Sequence, residues 1–289
     1  MTEIMPLIIT TTIVVLILVV AGLLGLRLLD YQADKQLFAE LRARQPAEPG
    51  YFDPAMLNGL PLAAQRFFTF CIAPGTPLYT VADIAMTGRF GMGSRLKPDY
   101  LDMQARQILA PPAGFIWQMQ ARRNLWRIAG SDSASWTRFW LFELLPVARK
   151  GASLDQRRAA FGRYVAEAVF WTPAAVLPRT GVSWSHLSDN SARLTVNQQG
   201  LSQTVELTVA DNGQPVLVSM MRWSDANRQR RYTLQPFGGY LSDFRDFGGF
   251  TLPSHVEAGN HFGTPDYFPF FVADVQQIRW PHSSTRVSG

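Results

Sequence analysis

Two hydrophobic patterns divide the chain near residue 30. From Ile4 to Leu26 there are 23 consecutive residues without a charge, dense in Ile, Val and Leu. A helix of that length is roughly 35 Å long, enough to cross a ~30 Å hydrocarbon core with some tilt. A buried soluble helix would show a polar face, and only Thr10, Thr11 and Thr12 interrupt the apolar surface. A cleavable signal peptide would need a basic flank and a shorter apolar run. The flank here is Thr2-Glu3, and the single cysteine, Cys71, lies far from the span. Residues 1–30 are therefore expected to be a retained single-pass anchor in the cell (inner) membrane, with the lipid bilayer as partner of Ile4 to Leu26. Arg27, Lys35, Arg42 and Arg44 all follow the span. The positive-inside rule then favours a cytoplasmic body, although a three-residue flank leaves the side open.

After the span the period stays helical for a short distance. Ala33, Leu37, Phe38 and Leu41 recur at helical spacing over Tyr31–Arg44, and Pro46 with Pro49-Gly50 stops the run. Residues 31–60 are expected to form a helical stalk and linker, with Lys35, Arg42 and Arg44 facing anionic headgroups or solvent. A second short helix is expected over Leu62–Ile72, between Pro61 and Ala73-Pro74-Gly75.

Beyond Ile72 the period becomes two. Ile84, Met86, Gly88 and Phe90 alternate with Ala85, Thr87 and Arg89; Leu101, Met103 and Ala105 alternate with Asp102, Gln104 and Arg106. Phe115, Trp117, Met119 and Ala121 alternate with Ile116, Gln118, Gln120 and Arg122. These are half-buried strands. Trp136–Phe142 is apolar on both faces. Ser153–Val169 interrupts the strands with a helix, opened by a Ser153–Gln156 capping box and closed at Trp171-Thr172-Pro173. Its expected inward stripe is Phe161, Tyr164, Val165 and Ala168, with Arg157, Arg158 and Arg163 on the other face. Strands resume at Val182–Leu187 and 192–196. Asp211-Asn212-Gly213 then makes a hairpin between Val205–Val209 and Pro215–Trp223. Tyr232–Gln235, Tyr240–Asp246, Phe250–Glu257 and Val272–Trp280 complete the series.

The expected fold class is α+β. An N-terminal transmembrane helix precedes one large curved antiparallel sheet of about ten strands, half-barrel-like, with a few helices. About ten strands are too many to stay flat. The sheet fills a single β-rich domain over 61–282, and 283–289 is a disordered tail.

Composition adds little chemistry. The formal net charge is +5, and all of the positive excess lies past residue 30. Only Lys35, Lys97 and Lys150 are lysines, so the basic character is arginine. The cluster Arg222, Arg228, Arg230 and Arg231 suits phosphate contact better than it suits nucleic acid, for which no binding motif is present. No metal site is expected, because His255 and Glu257 share a strand face but His261 lies beyond Gly259. Ser94-Arg95-Leu96-Lys97 lacks the partner motifs of a Ser-x-x-Lys enzyme, and there is no Gly-x-Ser-x-Gly elbow. Cys71 reads as a buried structural thiol. No cofactor and no catalytic residue is assigned.

A set of local motifs carries a family likeness. The motifs are Pro111-Pro112-Ala113-Gly114-Phe115-Ile116-Trp117, Phe170-Trp171-Thr172-Pro173, Trp184 with Asp189, Asp211-Asn212-Gly213 and Arg222-Trp223. Further along come Gly239-Tyr240, Phe244-Arg245, Gly248-Gly249-Phe250-Thr251-Leu252-Pro253 and Glu257. In order and spacing the chain resembles, over residues 61–280, an uncharacterised bacterial family described as a domain of unknown function. The resemblance implies a membrane-tethered curved antiparallel sheet, similar to the half-barrels of LolA/LolB-type lipoprotein carriers. It transfers no activity.

Most of the eight tryptophans belong in a core, but a sheet too large to fill its concave side leaves some of them lining a cavity. The leading expectation is a membrane-anchored, non-enzymatic binding module for an apolar or amphipathic ligand, a lipid or acyl chain. Its candidate ligand-binding residues are Trp117, Trp171, Trp184, Arg222, Trp223, Tyr240, Arg245 and Glu257. An enzyme with a site among Arg222, Asp246, Glu257 and His255 is one alternative. A membrane-tethered scaffold for an unidentified protein partner is the other.

Overall fold

The computed structural model describes residues 4–281, residue 228 excepted. The expected tail over 283–289, His282 and Arg228 lie outside the described residues.

One helix, α1, runs unbroken over Ile4–Arg42. No proline occurs between Pro6 and Pro46 to interrupt it. Its most apolar stretch has a mean hydropathy of 3.0 and none of that stretch is buried, so α1 is long and apolar enough to cross a membrane. The change near residue 30 is in surroundings. Arg27, Asp30, Asp34, Phe38 and Leu41 are buried, at spacings of three and four that make one face of the helix. This half of α1 lies on the sheet.

Two further helices follow, α2 (Leu62–Cys71) and α3 (Leu154–Trp171). The strands are β1 (Ala82–Gly91), β2 (Tyr100–Ala110), β3 (Gly114–Arg123), β4 (Trp126–Ser133), β5 (Thr137–Leu141) and β6 (Leu145–Lys150) before α3. After it come β7 (Val182–Ser188), β8 (Ser191–Gln198), β9 (Leu201–Val209), β10 (Pro215–Ser224), β11 (Thr233–Asp246), β12 (Thr251–Asn260) and β13 (Phe268–Arg279). They form one 13-stranded sheet in the order β6-β5-β4-β3-β2-β1-β13-β12-β11-β10-β9-β8-β7. Two antiparallel meanders meet where β1 pairs with β13. The α+β fold is as expected, with thirteen strands in place of about ten.

The sheet is open along β6 and β7 yet strongly curled. β6 and β10 are nine positions apart, which in a flat sheet is roughly 43 Å. Nevertheless Lys150 of β6 forms an ion pair with Asp225, the residue after β10, and lies over the Tyr232 ring. The curl gives the sheet an inner and an outer face. Ile84, Met86, Phe115, Trp117, Val218, Met220 and Val256 belong to the inner core, closed by α2 and α3. Ile108, Ala110 and Ile116 point outward, where Phe38 and Leu41 of α1 cover them.

The expectation that Arg42 faces headgroups or solvent is corrected. Arg42 donates to Asp83 Oδ2 from Nε at 3.1 Å and from Nη2 at 2.9 Å. Lys35 and Arg44 do stay exposed, Arg44 paired with Glu40 one turn earlier. In α3, Ser153 Oγ accepts from the Gln156 N–H as a capping residue should. The Gln156 amide, instead of closing a capping box, donates to the Ser133 carbonyl. Tyr232–Gln235 and Tyr240–Asp246 prove to be parts of one strand, β11, continuous through Gly238-Gly239. A Cβ at Gly239 would lie 2.4 Å from the Glu257 carbonyl, so these glycines permit a close strand approach and do not mark a break.

Candidate ligand cavity

Parity along the inner strands aims large side chains at one space. Phe90 of β1, Trp117 of β3 and Phe139 of β5 approach it from one meander; Met220, Phe237 and Phe271 approach from the other. The C-terminal half of α3 roofs it with Ala166, Phe170 and Trp171. The rings make an edge-contacting set, with Trp117 6.0 Å from Phe90, 6.1 Å from Phe271 and 6.3 Å from Phe139. Between them remains a cavity of about 210 Å³. The indole N–H groups of Trp117 and Trp171 are buried without a hydrogen-bond partner among the described residues.

One end of the cavity is polar. Arg163 of α3 donates from Nε to Glu167 Oε1 at 2.7 Å, from Nη1 to Asp132 Oδ2 at 2.8 Å and from Nη2 to Gln107 Oε1 at 3.2 Å. The Gln107 amide in turn donates to Glu167 Oε2 at 2.6 Å. Arg163 also stacks over Phe115, 4.3 Å from its centroid. Burial works against its charge, but Glu167 and Asp132 outweigh that and raise its pKa above the ordinary arginine value. Arg163 thus parts from Arg157 and Arg158, with which it was expected to share the face opposite the inward stripe: it is largely covered and they are exposed. The curled sheet wraps the C-terminal half of α3, where every residue from Ala160 to Trp171 is buried or half-buried, while Arg157 and Arg158 nearer its start stay exposed.

Arg222 of β10 lines the same end and differs from Arg163 in its partners. Its guanidinium lies 4.8 Å above the Phe237 ring, and its Nε is buried with no hydrogen-bond partner among the described residues. Burial, and after it the charge of Arg163, pushes its pKa below the ordinary value. A second, polar hollow of about 110 Å³ adjoins the first and shares Asp132, Thr137, Arg163 and Arg222 with it.

Of the candidate residues, Trp117, Trp171 and Arg222 line the cavity, and Trp223 lines the adjoining polar hollow. The others are elsewhere. Trp184 packs on Phe67 and Phe68 and donates to the Val176 carbonyl at 2.9 Å. Tyr240 is half exposed beside Phe262 and Tyr267, and Arg245 is exposed. Glu257 follows the inward Val256 on β12, and its carboxylate lies 3.5 Å from His255 Nε2. His255 Nδ1 is 2.7 Å from Asp274. Burial lowers the His255 pKa, but Asp274 and Glu257 outweigh that and raise it overall. Asp246 accepts from the N–H groups of Gly248 and Gly249, a turn-capping role. Of the four residues of the enzyme alternative, only His255 and Glu257 meet. No group of three metal-ligating side chains occurs among the described residues. Cys71 is buried, and burial pushes its thiol pKa well up.

Motif reading does not single out Arg163, Asp132, Glu167 and Gln107 as a group. The one local signal is Glu167, four residues after Arg163, at the spacing of a helical ion pair.

Fold and cavity together define a curled-sheet protein with a hollow inner face, carried on a helix apolar enough to cross a membrane. By sequence, the chain belongs to a family of unknown function, DUF6544, whose model matches residues 50–273. No curated protein matches it. Among solved structures it is weakly similar to a LolA superfamily protein from Nitrosomonas europaea, at 13% identity and a TM-score of 0.34, covering 78% of this chain and 91% of that one. A DUF1329 family protein from Desulfovibrio piger is similar at 12% identity and a TM-score of 0.31, covering 79% and 94%.

Proposed function

We propose that this protein is a membrane-anchored, non-enzymatic binding module that holds the apolar chain of a lipid or other amphipathic ligand inside its curled sheet. The observation that carries this reading is the hollow itself. Its walls are aromatic and aliphatic, and it stays open where a purely structural core would be filled to crystal-like density. The helix α1 supports the reading by bringing the body close to a lipid source. The flanking charges favour a cytoplasmic body, and alkaline phosphatase activity from a C-terminal fusion would overturn that side.

The test is photolabelling of the full chain in lipid nanodiscs with a dodecyl alcohol carrying a diazirine on its chain. The residues of Ile4–Leu26 serve as the internal positive control, because the bilayer itself labels them. The reading predicts additional label on peptides containing Trp117, Met220 and Phe237. Label confined to the span would contradict it.

A further inference from the structure

Resting on that reading, we infer that the ligand carries a compact anionic head, a carboxylate or a phosphate, and that Arg222 receives it where the apolar cavity meets the polar hollow. The two hollows are continuous in their walls and opposite in their chemistry. The larger is framed by Phe90, Trp117 and Phe237; the smaller by Thr137, Lys150, Gln156, Ser224 and Tyr232. An amphiphile has that same division, with a chain at one end and a head at the other. At about 110 Å³ the polar hollow exceeds the room that one or two waters need.

The charges around the junction show which group is waiting for a partner. Arg163 holds both nearby carboxylates, Asp132 at 2.8 Å and Glu167 at 2.7 Å. Lys150 holds Asp225. Asp155 accepts from the Trp223 indole at 2.8 Å. Each of these carboxylates therefore has a donor already, and Arg222 has no ion pair among the described residues. Leaving the Arg222 Nε–H buried without an acceptor is costly, since it has given up water and gained no hydrogen bond. A carboxylate or phosphate in the polar hollow removes that cost. The planar fork of arginine suits both anions, which accept two parallel N–H bonds. The Phe237 ring fixes the guanidinium from one side and leaves its donor edge for the ligand.

The experiment uses the full chain in nanodiscs and three chain-labelled diazirine probes: dodecanoate, dodecyl phosphate and the neutral dodecyl alcohol. The measured quantity is the ratio of anion to alcohol label on the peptides carrying Trp117 and Phe237, corrected by the same ratio on the span. For the wild type we expect a ratio of about ten for at least one anion, the factor a charge-assisted hydrogen-bond pair supplies. Arg222→Met should bring the ratio to about one, and Arg222→Lys should leave it between the two. Thermal unfolding of each variant shows that it is folded. Preference for dodecanoate assigns the head to a fatty acid, and preference for dodecyl phosphate to a phosphate-bearing lipid. Cavity label with equal ratios in the wild type overturns the anionic head while sparing the apolar-ligand reading. A wild-type preference that survives in Arg222→Met overturns the role of Arg222. No cavity label from any probe overturns both.

Discussion

The two faces of the curled sheet bury charge in contrasting ways. On the outer face, three carboxylates lie where α1 meets the strands, two from the helix and one from β1, and every one is met by donors. Asp30 accepts from Arg149 at 2.6 and 3.1 Å and from the Trp140 indole at 3.0 Å, and pairs with Arg138 at 3.1 Å. Asp34 accepts from Ser131 at 2.7 Å and Gln118 at 3.4 Å. Asp83 of β1 holds Arg42 and Arg106 together at 2.9 and 2.7 Å. On the inner face Arg163 is equally well met, while Arg222 and the indoles of Trp117 and Trp171 are left with buried, unpartnered N–H groups; Arg27 on the outer face also has an unpartnered Nε, but it donates from Nη2 to the Tyr31 hydroxyl at 3.0 Å. A closed set of partners fixes geometry: the outer set holds the body at a defined angle to the apolar part of α1. An open set fits a receptor, in which the missing partner arrives from outside.

The sharpest way to break this contrast is to remove one acceptor from the closed set. Asp30→Ala strands two arginines and an indole, and should destabilise the full chain by about 3 kcal/mol, near the low end for losing a buried ion partner because both arginines keep some solvent contact. Denaturant unfolding measures it, and a loss under about 1 kcal/mol would make the outer clamp ornamental.

Acid supplies a graded version of the same test. Burial opposes ionisation of Asp30, but Arg149, Trp140 and Arg138 outweigh it; at Asp83 burial is likewise outweighed by Arg106 and Arg42. Both folded-state pKa values are therefore lowered. The stability these groups contribute is complete above the unfolded carboxylate value of about 3.9 and is lost as pH falls through the lowered values. A stability profile that declines below about pH 4, less steeply in Asp83→Asn, is expected.

Asp34 has the opposite sign. Burial raises its pKa despite the hydrogen bond from Ser131, so its favourable contribution is complete below the ordinary value and is lost as pH rises through the raised one. Asp34→Asn keeps an acceptor for Ser131 and should change stability at neutral pH by less than about 1 kcal/mol, in either direction. A loss as large as that of Asp30→Ala would show that Asp34 works as a charge.

The smallest effect belongs to the inner face. Arg222→Met removes an unpartnered cation and leaves no carboxylate alone, so unfolding of the ligand-free protein should shift by about 0–1 kcal/mol, toward greater stability if at all. A destabilisation of about 3 kcal/mol would reveal that Arg222 is a structural group like Arg163.

Much of this fold is legible in periodicity. Alternation locates the antiparallel strands, and a cap with a Trp-Thr-Pro stop locates α3. The difference in strand count has a local cause. The strands without an expectation are β4 and β6: β4 ends in Gly130-Ser131-Asp132-Ser133 with no apolar alternation, and β6 is short and leaves Leu145 and Val147 exposed at the sheet edge. The docking of α1 is hidden because its buried face includes Asp30 and Asp34, which a hydrophobic stripe cannot report. Their partners Ser131 and Arg149 lie about a hundred residues away.

The site is legible only in part, for a related reason. Parity says which residues share a strand face; it does not say which face the sheet curls around. With Val256 and Ala258 lining the cavity, Glu257 between them must point away, and Tyr240 beside Leu241 does the same. Arg163 escapes a reading that groups it with Arg157 and Arg158, because the curl covers both sides of α3 only from Ala160 onward.

The most direct measurement of the central claim is an experimental structure of the full chain purified gently from its native cells. The account predicts elongated density between Trp117 and Phe237 that ends in a compact head within hydrogen-bonding distance of the Arg222 guanidinium. A cavity closed by rearranged aromatic side chains, or holding only water, would contradict it.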